Sequence, residues 1–142
     1  MAIVLKRVYD EPARSDGARV LVDRLWPRGV SKDSAKLTAW LKDLSPSDEL
    51  RKWYHSHPSQ WLMFRRKYLH ELRAPVASGA LEQLYELATG HPRVTLLFAS
   101  RNLDRNNATV LKELMEGSRK PPSTSGAIRA SAVRRGRARM PR

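Results

Sequence analysis

The sequence predicts an α/β domain. Its expected form is a small single-layer sheet with helices packed on it, at least two strands parallel, flavodoxin/Rossmann-like in outline. Three observations predict this. Short β-rich runs near Val4, Val20 and Leu96 alternate with segments whose apolar residues recur at helical spacing. Two of those runs, Val20–Asp23 and Val94–Ala99, are apolar without alternation, as strands buried on both faces are. Several helical segments separate those two, which suits a right-handed crossover between parallel strands.

The elements follow in order. Ile3–Tyr9 (IVLKRVY) reads as the first strand and Asp10–Gly17 (DEPARSDG) as a turn. Only about ten residues join this strand to the next, at Val20–Asp23, and so short a link favours a hairpin pairing between them. Ser31 is placed to cap a helix on which Leu37, Trp40, Leu41 and Leu44 fall at i, i+3, i+4 and i+7. Ser45-Pro46-Ser47-Asp48 starts another, with Pro46 at the first helical position and Leu50, Trp53 and Tyr54 on its apolar side. After His57-Pro58, a longer helix carries Trp61, Phe64, Tyr68 and Leu72 on one stripe. Ser78 opens the next, with Leu81, Leu84 and Leu87, and Gly90 closes it. The strand Val94–Ala99 follows. Asp104 or Asn106 caps a last helix that turns Val110, Leu111, Leu114 and Met115 inward.

Composition divides the chain. It has 142 residues, with 27 Lys and Arg against 14 Asp and Glu, a net charge of +13. Eight of the cations and no acid lie in Ser118–Arg142, which leaves +5 on residues 1–117. The basicity is therefore mostly a property of the tail. That tail has almost nothing to bury against an ordering cost of ~1–2 kcal/mol per residue, so it is expected to be disordered or loosely attached. Residues 1–117 are expected to form the single domain. With no cysteine, disulfides, thiolate catalysis and cysteine-held metals are excluded. The N-terminus is charged by its sixth residue and no apolar run approaches ~20 residues, so neither a signal peptide nor a membrane span is expected. A cytoplasmic location is the expectation.

The stretches that carry functional signal are the two strand exits. In open α/β sheets ligands bind beyond the carboxyl ends of the strands. Asp23-Arg24-Leu25-Trp26-Pro27-Arg28-Gly29 leaves one strand, and Ser100 to Asn107 leaves the other. Arg24, Arg28 and Arg101 are candidate anion-binding residues, because guanidinium forks match phosphate and carboxylate oxygens. Asn106 and Asn107 open a helix whose N-terminus favours anions, and Arg105 flanks them. Asp23 is the one catalytic candidate: a general base, an acid that orients Arg24 or Arg28, or a structural group closing the loop. Trp26 and Asp104 are expected to line the pocket, Trp26 as a stacking surface or as a lid over the sheet end. Gly29 suits a turn with positive φ. His55, His57, His70 and His91 do not have metal-ligand spacing, and neither a metal nor another cofactor is expected.

The segments "RVYD", "DG.RVLVDRLWPRGVSK", "LRKWY", "HPSQW..FRRKY..EL" and "LLFAS…NNATVLKEL" together resemble the YeaO-like branch of the domain-of-unknown-function 488 superfamily. The resemblance spans roughly Lys6–Glu116, and its most specific element is VDRLWPRG. It implies a small cytoplasmic bacterial α/β protein and supplies no activity. Relatives often carry a Lys-Asp pair and an acid-His-Asn step in the last loop, where this chain has Arg101-Asn102 and Asp104-Arg105-Asn106. Relatives also tend to have His-Asp-Pro where Ser56-His57-Pro58 stands here. The wider superfamily resembles Cys-His-Arg at the last helix start, and this chain lacks that cysteine.

Three functions remain open on the sequence. The first is a domain binding a small anionic ligand, either as a binding module or as an enzyme on phosphorylated or nucleotide-like molecules. The second is non-specific nucleic-acid binding through the basic tail. The third is an interaction module without catalysis. No membrane partner is expected, and the sequence sets no oligomeric state.

Overall fold

β4 (Arg93–Phe98) is the centre of the sheet, because every residue from Val94 to Phe98 is apolar or, at Thr95, has its hydroxyl satisfied by the Asp16 carbonyl. The computed structural model describes residues 2–117. The tail and the contacts expected of it lie outside the described residues. Four parallel strands run in the order β1-β4-β2-β3. β1 is Ala2–Arg7, β2 Ala18–Leu21 and β3 the two residues Ala39–Trp40. Ile3 pairs with Val94, and Val20 with Leu96 on the other side. The expected single-layer α/β sheet is present, and all its strands are parallel.

The hairpin expected between the first two strands is absent: β4 lies between them. Ten extended residues reach ~33 Å, more than the ~20 Å length of a six-residue strand, so the link 8–17 can return to the start of β2 without a helix. A 3-10 turn at Arg14–Asp16 and Gly17 complete that return. Gly17 has φ 68°, and a Cβ there would sit 2.3 Å from the Arg93 carbonyl oxygen. Beside it Asp16 accepts from the Ala13 N–H, from Lys6 and, at 2.6 Å, from Arg19. Burial alone would raise the Asp16 pKa, but these donors together hold it below the ordinary carboxylate value. Arg19, only 4% exposed, also donates from Nε and Nη2 to the Ala35 carbonyl.

The helix expected from Ser31 to Leu44 is also overturned. Ser31 does cap a helix, but α1 spans only Lys32–Ala35 and ends on Lys36 in the left-handed region (φ 49°). The chain then becomes β3 and a 3-10 turn at Lys42–Leu44. Backbone pairing decides this: Thr38 and Leu41 donate to the carbonyls of Arg19 and Leu21, and so satisfy the free edge of β2.

α2 (Asp48–Ser56) begins after Pro46, not on it, because Ser47 is its cap. The Ser47 N–H and hydroxyl are both held by Glu71, at the end of α3 (Trp61–Glu71). α4 (Pro75–Gly90) starts three residues before Ser78, with Pro75 in its first turn. α5 (Asn107–Glu116) is capped by Asn106. These four helices pack on one sheet face, around Val20, Leu96, Phe98, Tyr68, Leu84 and Leu111. The segment after β2 covers the other face, where Trp26, Leu37 and Trp40 pack on Val8, Leu21 and Leu97. The flavodoxin/Rossmann-like outline therefore lies in the parallel strands and their crossovers, while the longer helices share one side. Among the described residues no helix is long and apolar enough to cross a membrane.

Candidate functional site

A cleft of about 830 Å³ opens beyond the carboxyl ends of β2 and β4. Its position follows from the topology: β2 and β4 are neighbours, so the loops that leave them share a rim. Arg24, Arg28, Arg101, Asp23, Trp26, Asn106 and Asn107 all line it. Asp104 does not. The Asn102 side chain accepts from the backbone N–H of both Asp104 and Arg105, and the turn this closes leaves the Asp104 side chain exposed. Asp104 is likewise not the helix cap.

Asp23 is half-buried in the cleft wall. Neither Arg24 nor Arg28 pairs with it. One carboxylate oxygen accepts from the Ala99 N–H at 2.9 Å and the other from the Asn107 amide at 3.1 Å. That amide also donates to the Val22 carbonyl at 2.9 Å. Asp23 and Asn107 thus staple the end of β2 to the exit of β4 and the start of α5. Burial raises the Asp23 pKa above its ordinary value, while the Ala99 and Asn107 hydrogen bonds and the charge of Arg51 pull against it. Below Asp23, buried Tyr68 donates its hydroxyl to the Leu44 carbonyl. Its pKa is pushed well up by burial, then by the Asp23 and Glu71 charges.

The loop between β2 and α1 is shaped by Trp26 and Gly29. The Trp26 indole donates to the Val30 carbonyl at 2.6 Å and meets Trp40 edge-on, 5.3 Å between ring centres. Trp26 therefore covers the sheet end and offers one edge to the cleft. Gly29 takes φ 80°, which a side chain disfavours. Arg24 is half-buried and reaches the Pro46 carbonyl at 3.5 Å, while Arg28 is exposed.

On the opposite rim the two asparagines are committed within the protein. Asn106 accepts from the Thr109 N–H and donates to the Asn102 carbonyl, so both its oxygen and its nitrogen are engaged within the protein. The arginines are not so committed. Among the described residues, Arg28, Arg101 and Arg105 make no side-chain hydrogen bond or ion pair.

Sequence reasoning missed the third wall. α2 brings Arg51 and Tyr54 to the cleft, and α3 brings Phe64. The Tyr54 hydroxyl reaches the Arg105 carbonyl at 3.4 Å, tying α2 to the last loop. Tyr9, after β1, completes an aromatic border under the Arg7 guanidinium. Arg7 itself donates to the carbonyls of Ala99 and Ser100 and holds the exit of β4 in place. No cluster of His, Asp and Glu suited to a metal occurs among the described residues.

The parallel sheet, and the cleft that its strand exits border together with α2 and α3, define a small α/β protein with a depression at the carboxyl edge. The chain belongs to the family described as "Inactive DUF488-N3 subclade", whose model matches residues 2–133. It is 43% identical to the uncharacterized protein YeaO of Escherichia coli over 113 residues, 80% of this chain and 96% of YeaO. It is 44% identical to uncharacterized proteins of Mycobacterium tuberculosis and Mycobacterium bovis over 111 residues, 78% of this chain and 91% of each relative. The YeaO-like resemblance in the sequence thus stands. No solved structure matches the chain.

Proposed function

We propose that the protein binds a small phosphorylated, nucleotide-like anion in this cleft and does not convert it. One observation carries the reading: five arginines line the cleft with a single carboxylate, and that carboxylate is hydrogen-bonded to neutral N–H donors. Arg51 meets Asp48 at 3.4 Å, but Arg28, Arg101 and Arg105 have no acid partner among the described residues, and an anion between guanidinium groups relieves their repulsion. The volume falls inside the ~300–1,000 Å³ usual for small-molecule sites. Tyr9 and Tyr54 give a flat ring something to lie against. Binding without conversion is supported by Arg105 standing where relatives tend to have histidine, by the lack of cysteine, and by the word "inactive" in the family's description.

Calorimetric titration with a nucleoside monophosphate tests the proposal. Arg28→Ala and Arg101→Ala should each cost about 1.5–3 kcal/mol of affinity, roughly 10- to 150-fold, if each makes a charge-assisted hydrogen bond. Arg65→Ala is the control, since Arg65 pairs with Glu113 away from the cleft. Equal binding by all three variants and the wild type would refute the assignment.

A further inference from the structure

Among the residues that line the cleft, Asp23 is the one acid. Its side chain cannot turn away, because Ala99 and Asn107 each hold one of its oxygens. A carboxylate has about four acceptor positions, so two hydrogen bonds leave acceptor capacity on a group that borders the cleft. An anion entering among the arginines therefore meets, at a fixed place, one negative charge that can accept a proton donor.

We propose that Asp23 is a specificity-determining residue. It admits oxyanions that carry a hydroxyl and rejects those that offer no donor. The inference rests on the anion-binding reading above and narrows its ligand class. A donorless dianion such as sulfate gains from the arginines but faces the carboxylate across an unbridged gap, where like charges oppose binding. A hydroxyl turns that same contact into a charge-assisted hydrogen bond. An ammonium group would satisfy Asp23 as well, but five guanidinium groups lining the same cleft disfavour a further cation. The neutral O–H is the donor that suits both walls. It can sit on phosphorus, as in hydrogen phosphate, or on carbon, as in a sugar phosphate.

The test uses the full chain at pH 8 and constant ionic strength, titrated with sulfate, inorganic phosphate and ribose 5-phosphate. All three are then close to dianionic. Sulfate has no hydroxyl, phosphate has one on phosphorus, and ribose 5-phosphate has its hydroxyls on carbon. The wild type should bind at least one hydroxyl-bearing anion about tenfold or more tightly than sulfate. Preference for phosphate places the hydroxyl on the anion itself, and preference for ribose 5-phosphate alone places it on the skeleton. In Asp23→Asn the preference should collapse toward one. Wild-type binding of sulfate as tight as both others overturns the inference and leaves the anion reading standing. So does an Asp23→Asn variant that keeps the preference. Failure of all three anions to bind the wild type refutes the anion reading itself, and the inference with it. Should Asp23→Asn not fold, Asp23→Ser is the substitute and is read in the same way, while the absence of a wild-type preference overturns the inference without either.

Discussion

Replacing Asp23 by Asn asks what holds the two strand exits together. In the structure the carboxylate bonds two neutral donors, the Ala99 N–H and the Asn107 amide, and no arginine. Asn keeps one acceptor oxygen, enough for Ala99. Its NH₂ then faces the NH₂ of Asn107, which the Val22 carbonyl fixes in place. One charge-assisted hydrogen bond is lost, worth ~1.5–3 kcal/mol, but the cost of burying a charge is relieved at the same time. The expected net loss is about 1–2 kcal/mol at pH 7, or roughly 3–8 °C in Tm for a domain of this size. Had Asp23 been half of a buried ion pair, as the neighbouring arginines led the sequence reading to allow, the loss would be about 3–5 kcal/mol. Urea denaturation with an unchanged slope separates the two. The pH dependence adds a sign. Burial holds the folded-state pKa of Asp23 above its unfolded value. The folded wild type therefore takes up this proton first and gains stability from it as pH falls through that range. Asn does not titrate, so the wild-type advantage should widen on mild acidification. A loss of 3 kcal/mol or more, or an advantage that narrows, would refute the account.

Asp16→Asn should behave in the opposite way. Its folded pKa is lowered, so its contribution is present above the ordinary carboxylate range and lost as pH falls through the folded value. Urea midpoints should show a loss of about 3–5 kcal/mol at pH 7, because Arg19 is left buried without its acid, and a smaller loss at pH 3. Gly17→Ala should cost about 3 kcal/mol or more in thermal melts, since the new Cβ collides with the Arg93 carbonyl and φ 68° disfavours any side chain. An unchanged Tm there would mean that the return from β1 to β2 takes another path.

Where pattern and packing agreed, the sequence was legible. The stripe Trp61, Phe64, Tyr68, Leu72 is the inner side of α3, and the apolar run at Val94 is the central strand. It misled where one pattern served two structures. Leu37, Trp40, Leu41 and Leu44 fit a helix by spacing, yet the open edge of β2 drew Ala39–Trp40 into the sheet. No local signal distinguishes those outcomes, because the deciding hydrogen bonds come from Arg19 and Leu21, some twenty residues back. The hairpin failed for a similar reason: β4, the strand that separates β1 from β2, lies some seventy residues further along the chain. The cleft's place was legible because two apolar strands ended in arginine-rich loops. Its third wall was not, because the turn of α2 that carries Arg51 and Tyr54 is set by the grip of Glu71 on Ser47.

The stretch VDRLWPRG can now be taken residue by residue. Val22 is fully buried and its carbonyl receives Asn107. Asp23 holds β4 and α5, Trp26 seals the far face against Trp40, and Gly29 allows the turn. Those residues explain how the loop folds. They do not call for Arg24 and Arg28. The fold can neutralise an arginine when it buries one, since Asp16 meets Arg19 at 2.6 Å beside the start of β2. At the cleft the available acid is instead spent on an N–H and an amide, and Arg28, Arg101 and Arg105 stay unpaired among the described residues. Three unpaired guanidinium groups bordering one cleft, whose single acid is already engaged, are the feature on which the proposed anion site rests.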